Sequence, residues 1–325
     1  MSLYLVTGGA GFIGSHIATA LTERGDRVRV LDNLTTGRVE NLAHLEVGGL
    51  GSGAPVELLE GDIRDPEAAR AGCRGAAGVF HEAAMVSVPR SVEEPELSYD
   101  VNAIGTLRVL EAARAEGIER VVYAASSSAY GDSPTLPKHE DMPSVPRSPY
   151  AAAKLAGEHI LAVWGRVYGM RTVSLRYFNI FGPRQADDSP YTGVIAIFSR
   201  ALLLGGEAKI FGDGEQSRDF TFVENAVQAN LLAMEADVEP GEVLNVGAGE
   251  QVSITALFER MRELCGSSLE ASYEPPRAGD VRDSLASLDK SRRLLGYEPR
   301  VGWGEGLERT VAWYRDRFGA QSVPG

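Results

Sequence analysis

Leu3-Tyr4-Leu5-Val6-Thr7-Gly8-Gly9-Ala10-Gly11-Phe12-Ile13-Gly14-Ser15 decides the fold. Leu3 to Val6 is an apolar run of strand length. Ser15 to Glu23 carries Ile17, Ala18, Ala20 and Leu21 on one face and reads as a helix. Between them Gly8, Gly11 and Gly14 stand at GxxGxxG spacing. A dinucleotide diphosphate asks for this order of parts: a tight turn, a backbone it can approach, and a helix start whose free N–H groups face the anion. The helix dipole adds ~0.3–1 kcal/mol. A second run, Arg27 to Leu31, ends in Asp32, near the distance at which a carboxylate takes the ribose hydroxyls. A glycine turn that only packs a helix on a strand would share the glycines. Strand, helix and acid in this order favour the cofactor reading.

The 325 residues suit one large α/β domain with an appended lobe. Apolar residues make up 44%, ample for a core, and no apolar run reaches the ~20 residues of a membrane span. Met1-Ser2 leads directly into the first run and leaves no room for a signal peptide, so a cytoplasmic location is expected. Cys73 and Cys265 are too few for a disulfide framework or a metal cluster. A net charge of −13 argues against nucleic acid and anionic membranes as partners. It leaves room for an anionic small ligand, which local arginines and helix ends can bind.

Up to residue 176, short apolar runs alternate with amphipathic stretches. Runs at 3–7, 27–31, 56–60, 77–81, 119–124 and 171–176 read as strands, and 92–116 and 148–168 as long helices. In the second strand arginine and valine alternate, the pattern of a strand with one wet face. The alternation of elements predicts βαβ units in a doubly wound parallel sheet of the α/β class. Gly48 to Pro55 reads as a solvent loop. Beyond 176 the pattern loosens. Phe178–Tyr191 reads as a loop, 243–246 as a strand, 193–204, 253–265, 287–295 and 304–318 as helices, and Gly319–Gly325 as a frayed tail. The expected division is 1–176, a dinucleotide-binding domain, and 177–325, mainly a smaller α/β lobe over the carboxyl ends of the strands, with some segments returning to the first domain.

Tyr150-Ala151-Ala152-Ala153-Lys154 puts a phenol and an ammonium on one helix face. A cation there favours phenolate and lowers the tyrosine pKa from about 10 toward operating pH. Such a tyrosine is a competent base for a hydroxyl. Ser126-Ser127-Ser128 ends the strand where a ligand crevice should open, and a hydroxyl there can bridge Tyr150 and a substrate oxygen. Serines alone would equally read as a polar turn capping a strand.

TGGAGFIGSH from Thr7, Asp32-Asn33-Leu34, Glu60-Gly61-Asp62-Ile63-Arg64-Asp65, His81-Glu82-Ala83-Ala84, SSSAYG from Ser126 and SPYAAAK from Ser148 together resemble the extended short-chain dehydrogenases/reductases. The resemblance covers almost the whole chain, with the motifs in the family's order. Within the family it points to the UDP-hexose 4-epimerases, and among them to UDP-N-acetylglucosamine 4-epimerases, through HEAAMVSVPRS from His81, RYFNIFGPRQ from Arg176, GDGEQSRDF from Gly212 and RAGDVRDS from Arg277.

The resemblance implies NAD as cofactor. Gly8, Gly11, Phe12, Ile13, Gly14, Asn33, Ala83, Ala84 and Tyr177 would contact it. Asp32 would bind the adenosine ribose, Asp62 and Ile63 would hold adenine, and Asn102 would order the sheet edge beside it. Asp32 repels a 2′-phosphate, which favours NAD over NADP. Arg29 and Arg38 read as solvated charges. Tyr150 is implied as the base, Lys154 as ribose ligand and phenol tuner, and Ser126 as the hydroxyl partner, with Ser127 and Ser128 on the sugar. For a UDP-sugar substrate, Arg218 and Arg277 would grip the diphosphate. Asp280 would hold the uridine ribose, Asn179 a phosphate or the sugar, and Lys209-Ile210-Phe211 would flank uracil. Ser87, Gln185, Gly193, Val194 and Ser284 would line the sugar region. Ser284 stands where some relatives carry a large aromatic, so an acetamido group should fit.

The dehydratase and decarboxylase branches carry an acid just after the catalytic hydroxyl. Here that place holds Ser127 and Ser128, which cannot do general acid work at neutral pH. Hydride removal and return, meaning epimerisation, is the expected reaction. UDP-glucuronate 4-epimerisation is the main alternative, with Arg184 as a cation for the sugar acid. Another nucleotide-sugar enzyme of the family and a non-catalytic NAD-binding regulator are further ones. In the family it resembles, a helix pair such as 92–116 and 148–168 forms a four-helix dimer interface, so the resemblance implies a homodimer.

Overall fold

The computed structural model describes residues 1–187, 193–276 and 281–321; Arg277 and Asp280 lie outside the described residues. Seven strands come in chain order: β1 Leu3–Thr7, β2 Arg27–Asp32, β3 Val47–Gly49, β4 Val56–Glu60, β5 Gly78–His81, β6 Arg120–Ser126 and β7 Arg171–Tyr177. With Glu242–Val246 they form an eight-stranded parallel sheet. Its order is Glu242–Val246, β7, β6, β5, β1, β2, β4, β3. The chain winds outward from β1 to β3, then restarts at β5 and winds the other way. This is a doubly wound α/β sheet, as the alternation of elements predicts.

Helices cover both faces. They are α1 Phe12–Glu23, α2 Pro66–Cys73, α3 Val88–Glu93, α4 Pro95–Tyr99, α5 Thr106–Ala115, α6 Pro149–Tyr168, α7 Val194–Leu204, α8 Val223–Glu235, α9 Ile254–Cys265, α10 Asp289–Leu295 and α11 Trp303–Gln321. One core layer joins Val6, Val30, Phe80 and Leu175 of the sheet to Ile17 of α1 and Ala226 of α8. The opposite layer joins Leu5, Leu31, Val79 and Val121 to Val109 of α5 and Leu161 of α6. A third cluster, with Phe181, Phe198, Phe222, Phe258 and Leu257, builds the second lobe.

Two expectations fail here. β2 has no wet face, because a parallel sheet is covered on both sides. Arg29 is buried: its guanidinium forks onto Glu57 Oε2 at 2.9 and 3.1 Å and donates to the carbonyls of Gly72 and Arg74 at the end of α2. A buried charge persists only with such pairing. The helix expected over 92–116 is divided. Pro95 starts α4, and Asp100–Gly105 forms a π-helical turn before α5. Gly105 fits against Ile63 in that turn: a Cβ there would lie 2.7 Å from Ile63 Cδ1.

A buried acid ties the second lobe to the sheet. Asp219 accepts from Ala248 N at 2.7 Å, Gly249 N at 3.0 Å and Ala286 N at 3.1 Å. Burial pushes its carboxyl up to about 6, against the pull of those N–H groups. On β7, Arg176 forks onto Glu158 of α6 at 2.8 and 2.9 Å, with both side chains buried. No described helix is long and apolar enough to cross a membrane.

Candidate active site

The winding reverses between β1 and β5, and a crevice opens at their carboxyl ends. Gly8 turns there with φ 66°, and its N–H donates to Leu31 O at 2.8 Å. A Cβ on Gly8 would lie 2.8 Å from the Ala83 backbone, and one on Gly14 would lie 2.8 Å from Gly9 Cα. Only glycine permits these approaches. Side chains of Asp65, Ser87, Ser148 and Ser253 cap α2, α3, α6 and α9, whereas α1 begins at Gly11 with no side-chain cap. A helix start of this kind, at the mouth of the crevice, is suited to an anion.

Asp32 ends β2 beside this turn. Its carboxylate accepts from Ala10 N at 3.0 Å and Leu34 N at 2.9 Å. Burial pushes it above the usual carboxylate range, against those N–H groups. Asn33 donates to Asp62 at 2.9 Å, and Arg64 beside Asp62 holds that carboxyl down at about 2.

A cavity of about 1140 Å³ extends from the Asp32 end to the second lobe. Small-molecule sites commonly span ~300–1,000 Å³, so two ligands fit end to end. It is lined by Gly8, Gly11, Phe12, Ile13, Gly14, Asp32, Asn33, Asp62, Ile63, Ala83, Ala84 and Tyr177 at the first end. Ser87, Ser126, Ser127, Ser128, Tyr150 and Lys154 line its middle; Asn179, Gln185, Gly193, Arg218 and Ser284 line the far end. Five expected residues are not in the lining, among them Ile210, which is buried in the second-lobe core. Asn102 spends its amide on Met85, accepting from its N at 3.0 Å and donating to its O at 3.1 Å. It fixes the loop after β5 from behind. Val194 packs with the second-lobe core. Lys209 is at the surface, paired with Glu207 at 3.1 Å, on a two-stranded sheet that Phe211 shares.

The middle of the cavity holds the reactive groups. Ser148 caps α6 by accepting from Ala151 N at 3.1 Å, which starts the helix just before Tyr150. Gly157 lets α6 lie close on β6, where a Cβ would meet the Tyr123 ring. Lys154 is buried, donates to Ala124 O at 2.8 Å and sits over the Tyr123 ring at 4.8 Å. Burial lowers its pKa to about 8, while Glu82 and Glu158 oppose that fall. Ser126 Oγ accepts from the Ser128 hydroxyl at 2.8 Å, and its side chain is close enough to Tyr150 to favour the phenolate. The expected lowering of the Tyr150 pKa does not occur: burial raises it, and only Ser126 opposes. The ammonium is spent on Ala124 O and on acidic neighbours. Arg184, in left-handed conformation, donates to Ser15 and Thr19 of α1 at 3.3 and 3.1 Å.

Residues 4–247 match the family model for the NAD dependent epimerase/dehydratase family. The chain belongs to that family. A relative named UDP-glucose 4-epimerase, from Mycolicibacterium smegmatis, is 40% identical over 96% of this chain and 98% of its own length. One named UDP-glucuronate 4-epimerase, from Thermodesulfobacterium geofontis, is 33% identical over 98% of each. A solved structure of a UDP-N-acetylglucosamine 4-epimerase from Methanobrevibacter ruminantium, in complex with UDP-N-acetylmuramic acid, superposes with a TM-score of 0.90. It is 36% identical and covers 97% of this chain and 99% of that one.

Membership of this NAD-dependent family agrees with the geometry. The tight turn that Gly8 and Gly14 make possible and the start of α1, which has no side-chain cap, fit a diphosphate; Asp32 fits a ribose. Sequence reading gave no role to Glu82, Arg38, Lys138 and Arg147, which also line the cavity. Glu82 had a signal: a charged residue one step past a buried strand. Arg38, read as solvated, reaches the Asp32 end because its N–H donates to Ala10 O at 2.9 Å and pulls that loop over the turn.

Proposed function

We propose that this chain is a UDP-hexose 4-epimerase that interconverts UDP-N-acetylglucosamine and UDP-N-acetylgalactosamine, with UDP-glucose and UDP-galactose as further substrates. The observation that carries the reading is the serine triplet beside Tyr150 and Lys154. Ser127 and Ser128 line the cavity where an eliminating or decarboxylating relative would need an acid. The UDP end of the substrate lies toward Arg218. Residues 1–176 hold NAD and residues 177–325 mainly the nucleotide sugar.

Bound NAD supplies the hydride acceptor, and the donor on return. Tyr150, as phenolate, takes the 4-hydroxyl proton and gives it back to the C4 oxygen when the hydride returns to the other face of the 4-keto sugar. Ser126 stands beside Tyr150 and bridges it to the substrate oxygen. Lys154 ties α6 to the end of β6 through Ala124 O, beside Ser126. Ser284 is small, which supports room for an acetamido group.

UDP-glucuronate remains the second reading, since a relative carries that name. The donors of Arg184 on Ser15 and Thr19 count against its use as the cation for a sugar acid. A homodimer is part of the proposal. Tyr99 and Ile104 on one helical stretch and Val163, Val167 and Tyr168 on α6 are exposed apolar residues, which suits burial against a second copy.

Proton NMR of the purified protein with UDP-N-acetylglucosamine and no added cofactor is the test. Growth of the UDP-N-acetylgalactosamine anomeric signal is expected. Conversion of UDP-glucose alone would overturn the N-acetyl reading, and conversion of UDP-glucuronate alone would replace it. Ser284→Tyr should lower kcat/KM for the N-acetyl sugar ~10²-fold and spare UDP-glucose; equal loss on both would remove Ser284 as the gate.

A further inference from the structure

Glu82 stands one residue past β5, at the reversal of winding, and lines the cavity with Ser126, Tyr150 and Lys154. The epimerisation above does not use it. A carboxyl in such a wall is costly to charge unless its neighbours favour the anion. Here they do. Tyr177 donates its hydroxyl proton to Glu82 Oε1 at 2.9 Å. The direction is set from behind: Asn230 Nδ2 donates to Tyr177 Oη at 2.6 Å and to Ala226 O at 2.9 Å, so the single phenolic proton faces Glu82. From α6, the Lys154 ammonium favours the carboxylate. On β6, the buried Tyr123 is the other titratable group coupled to Glu82, and burial keeps it protonated. Burial of Glu82 itself works the other way and brings its carboxyl up to about 7.

Proton and hydride leave the same carbinol group, so the ring that accepts the hydride must face the atom that Tyr150 faces. In that half-reaction a C–H and an O–H bond break and a ketone forms. The proton goes to Tyr150. The hydride, with both electrons, reduces a cationic pyridinium ring to a neutral dihydropyridine. The ring's positive charge is lost going forward and regained on return.

We propose that Glu82 is the counter-charge for this event: a positioning residue whose carboxylate, held by Tyr177, biases the bound nicotinamide couple toward its oxidised form. An epimerase has use for that bias, because a cofactor left reduced after the ketone escapes drops out of the cycle. The inference rests on the family's NAD dependence and not on which sugar is turned over. A measurement on the cofactor alone therefore separates it from the substrate reading.

The experiment is the midpoint potential of the bound couple in the holoprotein, followed from about pH 5.5 to about pH 8.5, for the wild type, Glu82→Gln and Tyr177→Phe. At the alkaline end Glu82→Gln should be easier to reduce, with the oxidised-to-reduced ratio down about tenfold, a rise of ~30 mV for a two-electron couple. The wild type should converge on the Glu82→Gln line as the pH falls through the titration of Glu82. Tyr177→Phe keeps the charge but removes the donor, so it should move that break to higher pH. A Glu82→Gln potential and pH dependence equal to wild type would overturn the proposal. Should Glu82→Gln fail to fold, a break left unmoved in Tyr177→Phe would overturn it instead.

Discussion

Gly14→Ala tests whether the glycine cradle exists for a ligand or for packing. Gly14 is in the first turn of α1, where alanine alone would gain up to ~1 kcal/mol of helix propensity. Against that, its Cβ would lie 2.8 Å from Gly9 Cα and 2.9 Å from Gly8 C. Both are backbone atoms in a turn held by Gly8 N–H on Leu31 O at 2.8 Å and Gly11 N–H on Gly8 O at 3.0 Å. The turn must move by several tenths of an ångström or more, an overpacking cost of ~1–3 kcal/mol. With the full propensity gain the net loss of stability is ~0–2 kcal/mol, a fall in Tm of up to ~6 °C. The effect on NAD should be larger. A ligand gripped by backbone N–H groups tolerates little displacement, and a shift near 1 Å can cost ~10²-fold. Thermal melting and calorimetric NAD titration read the two effects separately. Gly304→Ala, near the start of α11 with nothing within 4 Å of its Cβ, reports the propensity gain alone. A Gly14→Ala protein that melts lower yet binds NAD as the wild type does would refute the cradle argument.

Asp219→Asn should lose ~2–4 kcal/mol, because an amide cannot accept from all three N–H groups that converge there. It should also change the pH dependence of stability. The folded carboxyl, at about 6, lies above its ordinary 3.8, so the native state binds more protons between those values. The group's contribution therefore declines as pH rises through that window, and melting curves of Asp219→Asn should lack the decline. Glu158→Gln strands the buried Arg176 guanidinium and should cost ~3–5 kcal/mol in denaturant unfolding. Arg176→Met with Glu158→Leu should recover most of it. Tyr150→Phe should lower kcat at least ~10²-fold with the fold intact by circular dichroism, and a near-wild-type rate would remove Tyr150 from the proton step.

The sheet was legible because strand, glycine turn and helix follow each other within two dozen residues, and each local pattern agrees with the next. What depends on partners far along the chain was not. Arg29 looks solvated beside Val28 and Val30; its partner Glu57 is on the neighbouring strand and the carbonyls it caps are at the end of α2. Asp219 looks like one more loop acid, yet its donors come from residues 248, 249 and 286. The Tyr150–Lys154 spacing correctly put both groups in one cavity. It could not say that the ammonium turns to Ala124 O, which leaves burial in charge of the phenol. The π-helical turn has no periodic signature, and the Gly105 within it that fits against Ile63 is one glycine among many in the sequence. Glu82 lay inside a quoted motif without a role, since its meaning comes from Tyr177 and Asn230 on two other elements.

The two ends of the cavity are built from different materials, and this bears on the mechanism. At the Asp32 end the contacts are backbone: glycines that nothing larger can replace and a carboxylate fixed by N–H groups. In the middle, beside Tyr150 and Lys154, stand short serine hydroxyls, several of them already partnered. Ser87 accepts from Arg90 N at 3.1 Å, and Ser128 donates to Ser126 at 2.8 Å. A sugar hydroxyl entering there exchanges one hydrogen bond for another, so each contact gains ~0.5–1.5 kcal/mol at most. A 4-epimerase needs a ketone that can leave one face of the site and present the other. A pocket that gripped the sugar as firmly as the glycine turn grips a diphosphate would trap it on the face where it formed. Weak, exchangeable hydroxyls in the middle and rigid backbone at the cofactor end are the distribution of binding energy that such a turn-over of the sugar requires.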